Sequence, residues 1–133
     1  MMFYQGKKSS KDEPITVESF EKGMPSKDDA NEKIKSPGEM IHEMGSEYKI
    51  VTTYKEALEE LVTGTYSIAW LCTASKGISK GSNDENYFES FIKAIVNFFV
   101  SGGGLIMFAE NPPFIFEINE ILKALPGFTV RID

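Results

Sequence analysis

Few side chains in this sequence have chemistry to offer, and the reactive ones stand alone. There is one cysteine, Cys72, and one histidine, His42. A thiol attacks only as thiolate, so a nucleophilic cysteine needs a base or a cationic neighbour and an exposed seat, commonly a glycine-flanked turn between strand and helix. Cys72 instead closes the apolar run Tyr66-Ser-Ile-Ala-Trp-Leu-Cys72 and is followed by Thr73-Ala74, with no glycine beside it. His42 lies far upstream in a short polar stretch. The residue types therefore predict a buried, inert thiol at Cys72 and a surface role for His42.

A second group is of interest by position. The loop Thr73-Ala-Ser-Lys-Gly-Ile-Ser-Lys-Gly-Ser-Asn83 follows one apolar run and enters a long helix, where free backbone N–H groups attract anions. Ser75, Lys76, Ser79, Lys80 and Ser82 could hold a phosphate or carboxylate. The loop matches neither the Gly-x-x-x-x-Gly-Lys-Ser/Thr nor the Gly-x-Gly-x-x-Gly pattern, so it carries no nucleotide fingerprint. Glu110 and Asn111 leave the next apolar run. If the two runs adjoin, Ser75, Lys76, Glu110 and Asn111 share one crevice as candidate ligand-binding residues, and Glu110 could act as a general acid or a single metal ligand. A carboxylate without a second carboxylate or a histidine is weak support for either role. A solvated loop, with Glu110 paired to a lysine, is the plainer reading. No catalytic residue is assigned, Cys72 and Glu110 being the only candidates, and neither a metal site nor a cofactor is expected.

The elements that must position these residues are well punctuated from Ser36 onward. Ser36-Pro-Gly-Glu39 is a capping box with proline at the first helical position, and Gly45 closes the short helix. Tyr48 to Thr53 is rich in β-branched residues and predicts a strand. Thr53 then caps a helix with Ala57, Leu58, Leu61 and Val62 inward, ended by Gly64. Tyr66–Cys72 and Leu105–Ala109 are buried-strand runs. Between them Ser82-Asn-Asp-Glu85 opens a helix over about 84–101 with a wide apolar face, stopped by Ser101-Gly-Gly-Gly104. A helix joining two apolar strands is how parallel neighbours connect. Asn111 followed by Pro112-Pro113 predicts the start of another helix, with Phe114, Ile118, Ile121, Leu122 and Leu125 on one face. Phe128-Thr-Val-Arg-Ile132 reads as an edge strand. Met2-Phe-Tyr4 and Ile15-Thr-Val17 are candidate short strands in a polar, turn-rich segment. The expected organisation is a loosely ordered segment over 1–35 and an α/β domain over 36–133. Its fold class is a three-layer α/β architecture around an open, mostly parallel sheet.

The block from Tyr66 to Leu71, the run Phe91-Ile-Lys-Ala-Ile-Val-Asn-Phe-Phe-Val-Ser-Gly-Gly-Gly-Leu-Ile-Met-Phe-Ala-Glu110 and the stretch Glu117-Ile-Asn-Glu-Ile-Leu122 together resemble the class I glutamine amidotransferase-like superfamily. Within it they are similar to the non-catalytic branch of trehalose-utilisation-like proteins and the N-terminal domain of an intraflagellar-transport subunit. There a helix ends in paired glycines, a strand follows, and a helix with an internal asparagine comes next. The resemblance spans at most residues 48–125. It implies a flavodoxin-like, doubly wound sheet, of which this chain would be either a full or a truncated version, and it implies nothing about activity. The catalytic members' Gly-x-Cys-x-Gly elbow and following histidine are absent here.

Composition narrows the function classes. A formal charge of −6 and a pI near 4.9 argue against nucleic acid, whose binders need a net basic face. No apolar run reaches the roughly 18 residues of a membrane span, so no membrane partner is expected. A lone cysteine fits a reducing, cytoplasmic setting. The long helix and Phe114-Ile-Phe116 carry more apolar surface than one packing face hides, which predicts a protein partner or homo-oligomer, with Phe116 and residues 128–132 as candidate contacts. The favoured reading is a non-catalytic domain acting through protein–protein contacts, an enzyme being the less favoured class. The alternative is a small hydrolase or anion-binding domain that uses the 73–83 loop and Glu110.

Overall fold

The computed structural model describes residues 2–5, 35–73, 77–109 and 115–129. In chain order the elements are β1 (Met2–Gln5), α1 (Pro37–Glu43), β2 (Lys49–Val51), α2 (Tyr54–Val62), β3 (Ile68–Thr73), α3 (Asn83–Val100), β4 (Gly104–Ala109) and α4 (Phe116–Ala124). The strands form one sheet in the order β2-β1-β3-β4, and every pairing is parallel. The predicted crossover from the 66–72 strand through the long helix to the 105–109 strand is present, with Ile68 registered on Gly104 and Cys72 on Phe108. The chain is thus an α/β protein built on a small parallel sheet.

Helix starts follow the predicted chemistry, with one refinement. At α1 the box is reciprocal: the Ser36 hydroxyl accepts from the Glu39 N–H, and the Glu39 carboxylate accepts from the Ser36 N–H. At α2 and α3 the cap hydroxyls of Thr53 and Ser82 accept from the Glu56 and Glu85 N–H groups. The two glutamates, however, reach one residue further back, to the N–H of Thr52 and of Gly81. The last helix differs more. It begins at Phe116, with Ile115 as a cap that makes no side-chain hydrogen bond, because an isoleucine side chain has no acceptor to offer; it is buried instead. The prolines expected to open it lie outside the described residues.

Alternation along β3 divides the packing in two. Ala69, Leu71 and Thr73 are buried, while Trp70 and Cys72 are half-buried on the opposite face. The first face meets α2, α3 and α4 in a cluster that includes Val51, Tyr54, Ala57, Phe91, Ile95, Ile118 and Ile121, with Leu105 and Met107 of β4 packed against it. The second face meets α1 through Ile41, which packs on Tyr48, Ile50, Trp70 and Cys72. The two clusters are unequal. On the second face Ile106 and Phe108 remain 38% and 46% exposed, although parallel sheets normally have both faces covered.

Met2–Gln5 forms an inner strand between β2 and β3, so these residues belong to the sheet. The candidate strand at 15–17 and most of the 128–132 strand fall outside the described residues. Phe128 and Thr129, the part of it that is described, are not in a strand. The long helix is less buried than its composition predicts: only Phe91 and Ile95 are fully enclosed, and Tyr87, Phe88, Ile92, Phe98 and Phe99 are half-buried. None of the helices is long and apolar enough, among the described residues, to cross a membrane.

Candidate functional site

Parallel strands bring all their carboxyl ends to one edge, and α2, α3 and α4 each begin there. Open α/β sheets bind ligands at this edge. Its most unusual feature is a buried carboxylate. Glu117, in the first turn of α4, is 1% exposed, and its Oε1 accepts a hydrogen bond of 2.5 Å from the Tyr54 hydroxyl in the first turn of α2. Burying a carboxylate is costly unless it is hydrogen-bonded, and its position near a helix N-terminus adds a favourable dipole contact. Aromatic rings enclose the pair: Tyr54 lies 5.2 Å from Phe88 and 5.1 Å from Phe91 between centroids, and Phe88 stacks on Phe116 at 5.4 Å. Nearby in sequence to this edge, Thr73 ends β3 with its hydroxyl buried and without a hydrogen-bond partner among the described residues.

Sequence reasoning singled out Glu110 and passed over Glu117. A signal was available, because Glu117 falls four residues before Ile121 on the same stripe as Ile118, Ile121 and Leu125. Tyr54 likewise falls on the stripe of Ala57, Leu58 and Leu61. A polar residue on an apolar stripe is a buried polar residue, and two of them are natural partners. As placed, the pair is walled in by rings and joins two helices; it is a structural pin.

Of the residues named as ligand candidates, Ser75, Lys76, Glu110 and Asn111 lie outside the described residues. Beyond them the loop is ordinary. Ile78 is half-buried against the core, Lys80 is exposed, and Ser82 is the cap of α3. Cys72 is half-buried on the second sheet face beside Ile41, and burial pushes its thiol up to about 11. It carries essentially no thiolate near neutral pH. His42 is exposed, with its ring tilted against Tyr48 at 5.4 Å. Among the described residues no three His, Cys, Asp or Glu side chains are grouped to hold a metal ion.

The amino edge of the sheet holds a second polar cluster. The Tyr66 hydroxyl donates to Oε2 of Glu60 at 2.5 Å, and the Lys49 ammonium pairs with Oε1 of the same carboxylate. Hydrogen bonds from Lys49 and then Tyr66 hold Glu60 below the usual carboxylate range. Burial, with the Glu60 bond second, raises the Tyr66 phenol to about 12. Tyr66 and Ser67 lie where two open grooves meet. One, of about 720 Å³, runs between α2 and α3 past Leu61, Ala94 and Phe98; the other, of about 570 Å³, runs past Tyr48 and Lys49. Within this cluster the Lys49 ammonium and the Glu60 carboxylate neutralise each other, which makes it a surface clasp between β2, α2 and the start of β3. Compared with known proteins, the chain matches no family model, no curated protein and no solved structure.

Proposed function

We propose that this chain is a non-catalytic α/β domain that acts through protein–protein contacts, on the three-layer, flavodoxin-like architecture that its resemblance to the amidotransferase-like superfamily implies. The strand order supports that architecture, since β2-β1-β3-β4 is the first part of the 2-1-3-4-5 order of flavodoxin-like sheets. One observation carries the functional reading. Ile68, Trp70, Ile106 and Phe108 form an apolar strip two strands wide on the sheet face that meets only α1 among the described helices, and three of the four are exposed. Trp70 and Phe108 are in ring contact there at 5.6 Å. Aromatic and aliphatic side chains without charge are what the centre of a protein interface uses. The raised thiol of Cys72 and the enclosure of Glu117 weigh against hydrolysis.

The test is site-specific photocrosslinking in the cells that make the protein. A photoreactive phenylalanine analogue at position 106 or 108 should give discrete protein adducts, while the same analogue at Glu89, exposed on α3, should not. Adducts of the chain with itself identify a homo-oligomer, and adducts with another protein a foreign partner. No discrete adduct at either strip position overturns the reading.

A further inference from the structure

We draw no further inference here: the strongest candidate, the apolar strip of Ile68, Trp70, Ile106 and Phe108 on the sheet face beside α1, belongs to the surface already proposed as the contact site, and nothing in the structure shows what covers it.

Discussion

The Tyr54 hydroxyl donates to Glu117 Oε1 at 2.5 Å, tying together the first turns of α2 and α4 across 63 residues of sequence. Tyr54→Phe removes this donor from a buried carboxylate. Losing one hydrogen bond to a buried group costs about 0.5–1.5 kcal/mol, and about 1.5–3 where that group is charged. Glu117→Gln should cost less, since an amide oxygen still accepts from the phenol. Urea unfolding of both variants measures this, and a Tyr54→Phe protein as stable as the parent shows that the bond is not a pin.

Cys72 gives a prediction in both reactivity and pH. Its thiol is raised from an ordinary 9.0 to about 11 by burial, so thiol reagents should label the native protein far more slowly than the unfolded one near neutral pH. The unfolded state loses this proton first as pH rises. Stability from this group is therefore complete below about 9.0 and is lost as pH climbs through about 11. Cys72→Ser should flatten that part of the alkaline melting curve. Rapid labelling of native protein near neutral pH would revive the nucleophile.

What was legible in the sequence was what local chemistry decides. The caps at Ser36, Thr53 and Ser82 and the apolar strands on either side of α3 stand where their residues put them, because a hydroxyl three residues before a glutamate has one good use. β1 was less legible. Four residues before a polar tract do not declare a strand, and Met2–Gln5 is one because β2 and β3 pair with it from both sides. The Tyr54–Glu117 pair was missed for the same reason, each partner being interpretable only beside the other. The expected exposure is met in part. Phe128 is 46% exposed, as much as Phe108, but Phe116 is half-buried against Phe88, and a further uncovered strip lies on the β3 and β4 face, which periodicity within one helix cannot reveal.

The clasp at the amino edge should show its charge in acid. Glu60 is held below the usual 4.5, with the hydrogen bond from Lys49 as the first cause. A lowered carboxylate contributes stability above its ordinary value and loses it as pH falls through the folded value. Glu60→Gln should therefore melt below the parent at about pH 7, by a small margin because the pair is solvent-screened, and the gap should close as pH falls below the ordinary 4.5 and through the lowered folded value. High salt should narrow it too. A gap that persists unchanged in acid would mean that packing of the Glu60 stem, not its charge, is what the substitution removes.

Phe91 and Phe108 offer the sharpest contrast between core and strip. Phe91 is 0% exposed and packs against Tyr54 at the centre of the larger cluster. Phe91→Ala deletes a ring from a site that can relax only partly, and should cost about 3–5 kcal/mol. Phe108 is 46% exposed and its one ring contact among the described residues is Trp70. An aromatic pair contributes about 0.5–1.5 kcal/mol beyond area burial. Phe108→Ala in the isolated chain should thus cost well under half of what Phe91→Ala costs. The comparison bears directly on the proposed contact surface, because a side chain kept for a partner is held at little benefit to the lone fold. Denaturant melts of the two variants at the same low protein concentration decide it. Equal losses would mean that the strip is already covered within the chain, and the protein-contact reading would lose the observation that carries it.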